Sequence, residues 1–576
     1  MGRRKGGFMT IYFDQHDPSS EKHNPDFGRP SVSGLDYSPL PRVTGRSWAM
    51  GCLISFGGLI FGYDTGQISG FLEMPDFLDR FGLTHSDGTK YFSNVRAGLI
   101  VALLSIGTLF GALVAAPIAD RIGRKPSISL ASFVVGAGFV IQIASITAWY
   151  QLMIGRFISG LGVGALSLLV PMYQAETAPA WIRGAMVCAY QLFITMGIWL
   201  AACFNYGTVK HQSGNSGSWR IVIGLGWIWV IGLGVGILAF PETPRFDFRH
   251  GNEERAKQTI CRVYGATENH WAVHTQITEI ERKLRAEDQI KNGPVKEFIT
   301  MFKAPRMAYR IALGMTLQMF QQLTGANYFF YYGTTIFKSV QINSFVTQII
   351  LNSINFGVTF IGLYMVEHFG RRKSLIAGSI WMFICFMIFA SVGHFMLNLQ
   401  DPTLTPTPGI VLIVFACLFI LGFATTWGPM IWTIQAEIFP SRYRAKGMAL
   451  STASNWIWNF CIGFFTPFIT GAIDFRYGYV FAGCNFMGAL IIYFFVIEGQ
   501  GRTLEEIDTM YLEHVLPWKS TKWVPPPPEH MANIRRKAGV DLDVLADQES
   551  DGPLSDAANH NNKDLAPEVP FHEEHV

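Results

Sequence analysis

The chain has 576 residues, of which 49% are hydrophobic, 14% aromatic and only 15% charged, with a formal net charge of +3. Soluble domains carry about 25% charged residues, so a large soluble core is excluded and a membrane protein with many spans is indicated. The charge is too small to point to nucleic acid, and the eight cysteines show no zinc-type spacing and lie mostly in apolar runs, as packing residues do.

In chain order, residues 1–47 are polar and lack the apolar core of a signal peptide, which predicts a disordered tail. Runs of about 20 apolar residues, long enough to cross a bilayer, follow at 48–68, 97–118, 127–147, 151–173, 185–205 and 221–240, making a first half of 48–240. A charged segment, 241–307, carries "EERAKQTICRVYG" and "ITEIERKLRAEDQ", which read as surface helices. Six more runs, at 308–330, 345–366, 374–395, 409–435, 447–469 and 477–497, make a second half of 308–497. Residues 498–576 form a second tail, broken by "KWVPPPPEH" and otherwise acidic and Asn-rich, as disordered segments are. The predicted fold is an all-α membrane protein of twelve spans in two six-helix halves around a helical linker. Lys and Arg concentrate in "DRIGRK", "HFGRRK" and "SRYRAK", in the N-terminus and in the linker, which places all of these and both termini in the cytoplasm.

The halves repeat. "DRIGRK" at 120 recurs as "EHFGRR" at 367, and "AETAPAWIRG" at 175 recurs as "AEIFPSRYRA" at 436. Duplicated halves are the layout in which a transporter keeps its site near the bilayer midplane. The repeated charges and their neighbours, Asp120, Arg124, Glu176, Arg183, Glu242, Arg245, Glu367, Arg371, Glu437, Arg444 and Glu498, all fall at cytoplasmic helix ends. Their spacing predicts ion pairs across the interface between halves, closing the inner side in one state and parting in the other.

Polar residues inside the spans mark a cavity. Gln318, Gln321 and Gln322 share one helix face. Asn327 follows after Gly325, and Gln191, Asn355, Trp432, Asn455 and Trp456 lie on other spans. Neutral amides donate and accept, and so suit an uncharged polyol whose C–H face an aromatic ring can cover. Two charges lie as deep: Asp64 in "GGLIFGYDTGQISG" and Arg156 in "IGRFISGLGVG". An aspartate costs roughly 2.5–3.5 kcal/mol in hydrocarbon even on lenient scales, which asks for a partner. Gly160 and Gly164, at four-residue steps from Arg156, predict a close helix approach that brings Arg156 towards the first span.

The sequence resembles the sugar porter branch of the major facilitator superfamily, nearest to fungal hexose transporters, over about 50–510. The resemblance rests on "FGYDTGQISG", "DRIGRK", "GRFISGLGVG", "PMYQAETAPAWIRG", "PETPRF", "QQLTGANYFFYY", "VEHFGRRK", "AEIFPSRYRAKG" and "GRTLEEI", in that order. It implies hexose transport, of glucose foremost, by alternating access, with no enzymatic chemistry, cofactor or metal, in a monomer in the plasma membrane. It further implies sugar contacts at Gln191, Gln321, Gln322, Asn327, Asn355, Trp432 and Asn455, an outer gate at Tyr331 and Tyr332, and a proton-coupling role for Asp64 and Arg156. A facilitative uniporter and a non-transporting glucose sensor of the same fold are the alternatives. The chain departs from the pattern at His368, at Lys446 and at Ile497–Gln500.

Overall fold

The computed structural model describes residues 36, 38, 44–179, 183–289, 294–337, 343–398, 406–440 and 442–538. Thr44 accepts from the Ser47 backbone N–H and starts α1, Gly45–Phe71, while Ser93 accepts from Arg96 and starts α2, Asn94–Ile122. The first half continues with α3 (Arg124–Ile143), α4 (Trp149–Thr177), α5 (Arg183–Gln212) and α6 (Gly217–Gly236). Helices Pro244–Arg249, Glu253–Tyr264, Trp271–Gln289 and Pro294–Lys303 make the linker. The second half has α7 in two pieces, α7a (Met307–Leu323) and α7b (Ala326–Ile336), then α8 (Ser344–His368) and α9 (Arg371–Phe395). α10 is also divided, into α10a (Pro406–Thr425) and α10b (Trp427–Ile438), before α11 (Arg444–Ile473) and α12 (Tyr477–Phe495). Helices Leu504–Leu512 and Pro528–Ala538 follow. Among the described residues the sheet is a two-residue antiparallel pairing, Leu83–Thr84 with Lys90–Tyr91, between α1 and α2.

All twelve predicted spans are therefore helical. By length and composition alone nine stretches among the described residues qualify to cross a membrane, the last of which, Arg444–Phe495, contains both α11 and α12. The two spans that fall short are α1, which carries Asp64 and Gln67, and the broken α7. Apolar side chains such as Phe110, Leu113, Ile228, Ile361, Ile380 and Val480 stand exposed around the bundle, as a lipid-facing belt requires.

Each half has its own apolar core, and Tyr331, Tyr332 and Phe345 of the second half pack into the core of the first. Close packing inside a half relies on small residues. A Cβ on Gly107 would lie 2.2 Å from the Phe157 carbonyl, and one on Gly164 would lie 2.1 Å from that of Thr108. Gly160 and Gly164 thus bring α4 against α2, not against α1 as the four-residue spacing predicts. Arg156 reaches α1 through the length of its own side chain.

The linker sits at one end of the bundle, where Thr44 and Ser47 donate to the Val263 carbonyl. Hydrogen bonds between the halves gather towards the other end. Ser69 of α1 meets Thr334 of α7b at 3.0 Å, and Trp199 of α5 donates to Ser353 of α8 at 2.9 Å. Nearer mid-depth, Ser105 of α2 donates to Asn459 of α11 at 2.6 Å, and Phe61 of α1 packs on Trp456 of α11. The far end is the closed one in this structure.

Candidate functional site

α7a stops where Gly325 adopts φ +94°, a left-handed turn in a site where a Cβ would meet Phe386 and Phe481 at 2.8 Å. Only glycine enters that conformation without strain, and the break leaves backbone and amides of the seventh span facing inward rather than closing a regular helix. Gln318, Gln321 and Gln322, all buried, then meet α11. The Asn455 amide donates to Gln318 at 2.7 Å and to Gln321 at 2.8 Å, while Gln322 donates to the Asn455 oxygen at 3.0 Å. Asn327 donates to Gln322 from across the break. Gln321 also donates to the carbonyls of Trp427 and Gly428, both at 3.1 Å, where α10 divides. Gln318 donates to Gln435 of α10b.

The sequence-predicted amides Gln321, Gln322, Asn327 and Asn455 thus form one cluster. Trp432, 37% exposed as a residue, lies on the same side of α10b as Gly428 and Gln435, at helical spacing. Gln191 stands half-buried on α5 and Asn355 buried on α8, and among the described residues neither side chain bonds to the cluster.

Two members were not singled out from sequence. Asn459, one turn beyond Asn455, donates to Gln322 at 3.3 Å and accepts from both Tyr331 (2.8 Å) and Ser105. Gln435 accepts from Gln318 and donates to the Met448 carbonyl and to Thr452. The spacing Asn455–Asn459 was the available signal for the first. For the second there was the repeat, since Gln435 directly precedes the duplicated "AE" as Gln174 does. Tyr331 and Tyr332, the predicted outer gate, are buried on α7b, and Tyr332 donates to the Gly463 carbonyl. They bond to α11 of their own half while packing against the other half.

Asp64 and Arg156 do meet. Arg156 Nη1 lies 3.4 Å from Asp64 Oδ1, both residues are 0% exposed, and Gln67 donates to the same oxygen at 2.7 Å. Among the described residues, Asp64 Oδ2 and the Arg156 Nε and Nη2 have no hydrogen-bond partner. The amide cluster is saturated internally, whereas this ion pair is held by one long contact. A buried pair with unmet bonds is held weakly, since desolvation offsets much of the attraction.

At the linker end the acid–base motifs pair, but within each half. Arg124 binds Glu176 at 3.2 Å and Asp120 at 3.1 Å, and Arg249 reaches Asp120 at 3.5 Å. Arg371 binds Glu437 at 3.0 Å. Glu242 accepts the backbone N–H groups of Arg124, Lys125 and Thr243, capping α3, and Glu498 does the same for Arg371 and Arg372 at α9. These pairs belong to the present state, in which the far end is the closed one, and pairing across the interface is expected of the opposite state. Each acid ends a helix that packs beside the basic start of its neighbour in the same half, so the shortest reach is internal. Burial pushes the Glu242 carboxyl above its usual range. Arg444 donates to the Phe439 carbonyl, and Arg245 lies on the first linker helix. The side chains of Arg183 and Glu367 lie outside the described residues. The departures at 497–500 and at 368 join one another, since Gln500 donates to the His368 carbonyl at 2.8 Å.

The sequence matches the family model "Sugar (and other) transporter" over residues 50–511. It is 45% identical over 525 residues to "Hexose transporter 2" of Kluyveromyces lactis, covering 90% of this chain and 91% of that protein. It is 43% identical over 508 residues to a low-affinity glucose transporter of Saccharomyces cerevisiae, with 87% and 88% covered. Among solved structures, the inward-open conformation of the xylose transporter XylE from E. coli superposes with a TM-score of 0.66 at 26% identity, over 81% of this chain and 99% of that one. The proton:xylose symporter XylE bound to 6-bromo-6-deoxy-D-glucose gives 0.66 at 27% identity, with 81% and 99% covered.

Proposed function

The chain belongs to the sugar transporter family of the major facilitator superfamily, and from that premise we propose that it carries a hexose, glucose foremost, across the membrane by alternating access. The observation that carries this reading is the amide cluster at the break in α7. Each of its bonds joins neutral groups, so a sugar hydroxyl, donor and acceptor at once, exchanges with an amide partner at little net cost. Gln321, Gln322, Asn327 and Asn455 supply the hydroxyl contacts, Trp432 the C–H face, and Gln191 and Asn355 the walls from α5 and α8. Tyr331 and Tyr332 close the site from the far end. No covalent step is involved.

The basic loops orient the linker and both termini to the cytoplasm, so the closed far end faces outward and the site opens inward in this state. The plasma membrane is the assigned location and the monomer the working unit. In its finer form the reading is sugar:proton symport. An unpaired, buried Asp64 takes a proton, and Arg156 drives it off when the pair forms; the unsatisfied Oδ2 gives that proton a place. Uniport with a static pair is the second reading, favoured by the fact that the pair is made here.

Expression in a cell lacking hexose uptake tests both levels. Labelled glucose accumulates if the carrier reading holds, and surface expression without uptake sinks it. Symport predicts that a protonophore abolishes accumulation and that Asp64→Asn leaves downhill exchange but no accumulation. Uptake indifferent to the protonophore returns the pair to a structural role.

A further inference from the structure

The last linker helix, Pro294–Lys303, ends one turn before α7a, with Arg306 between them at φ 61°. Met301 is fully buried in the core of the second half and fixes one face of this helix. Another face is about half exposed: Phe298, Ile299 and Phe302 are 39%, 52% and 43% exposed. At helical spacing these three fall in one arc of about 100°, and Phe298 and Phe302 touch edge to face at 5.4 Å. The same register sets Lys303 along one margin of that arc. Arg306 adds a second cation; its guanidinium lies over the Tyr309 ring at 5.7 Å, and its Nε is buried without a hydrogen-bond partner among the described residues. The apolar arc runs on into the lipid-facing belt. Tyr309 donates to the Phe495 carbonyl at 3.0 Å, and Tyr493, Phe494 and Phe495 at the end of α12 are nearly half exposed.

We propose that Pro294–Lys303 is an in-plane membrane anchor whose apolar arc enters the bilayer surface at the linker end while Lys303 and Arg306 hold anionic phospholipid headgroups. An apolar stripe bordered by basic residues is the pattern of a helix lying in the headgroup region, and continuity with the belt makes lipid its occupant. Met301 transmits the anchorage to the second half, so that half is held to the membrane surface by more than its spans.

The test uses the full chain in nanodiscs, with Phe298 replaced by an environment-sensitive fluorescent amino acid. Brominated phosphatidylserine or brominated phosphatidylcholine serves as a quencher within lipid, and iodide as a quencher in water. Each cation near an anionic surface is worth about 1 kcal/mol, or about a fivefold preference. Phosphatidylserine is therefore expected to quench several-fold more strongly than phosphatidylcholine, and K303Q/R306Q to bring the two towards equality without changing the elution volume. Full iodide quenching with neither brominated lipid effective overturns the proposal and leaves the face to a protein partner. Equal quenching by the two lipids, unchanged in K303Q/R306Q, overturns the headgroup assignment.

Discussion

Asn455 makes three hydrogen bonds to three glutamines of α7a, so it ties α11 to the whole polar face of that helix. Asn455→Ala leaves three buried amides short of a partner, each able to cost about 1 kcal/mol. The expected result is an apparent glucose affinity weaker by about tenfold or more, read as a raised half-saturation concentration in uptake, at unchanged surface expression. An unchanged half-saturation would remove Asn455 from the site. At this scale the sequence was partly legible. Amides at i, i+3 and i+4 on a span declare a polar face, and Asp64 declares a partner. What Asn459 does was not legible, because its importance lies in touching Gln322, Tyr331 and Ser105 on three different helices. Adjacency of that kind is set by packing between helices, which one chain's periodicity does not encode.

Whole helices were the easiest features to read, since a run of apolar residues specifies a span by length alone. The interruptions were harder. Gly325 showed as a break because glycine follows a polar face, while the division of α10 after Thr425 follows an apolar run and gave no such sign. Gly325→Ala is expected to strain the left-handed turn and crowd Phe386 and Phe481, costing about 1–3 kcal/mol. The measurement is a thermal melt in detergent together with uptake. A variant with wild-type melting and wild-type uptake would show that the turn is not needed. The glutamate caps were illegible for another reason. Glu242 lies far along the chain from the α3 backbone it caps, and a lone acid after a span reads as loop solvation until the helix start beside it is known.

For the molecule as a whole, the hydrogen bonds joining the halves lie at mid-depth and towards the far end, and they decide which face is shut. Ser105→Ala combined with Trp199→Phe removes two of them. At about 1 kcal/mol each, the pair of changes shifts the balance by about 2 kcal/mol, roughly thirtyfold, towards opening of the far end. Spin labels placed on α2 and α11 at that end should report a longer distance population, and an unchanged distribution would mean that the seam is held by packing alone. The twofold layout behind this was plain in the repeated motifs, but where their charges would bond was not. Arg124–Glu176 and Arg371–Glu437 both close inside their own half. In mechanical terms these two pairs, in this state, stiffen two levers without latching one to the other. A swing between states need not break either ion pair, so added salt should soften the levers while leaving the travel between them almost untouched.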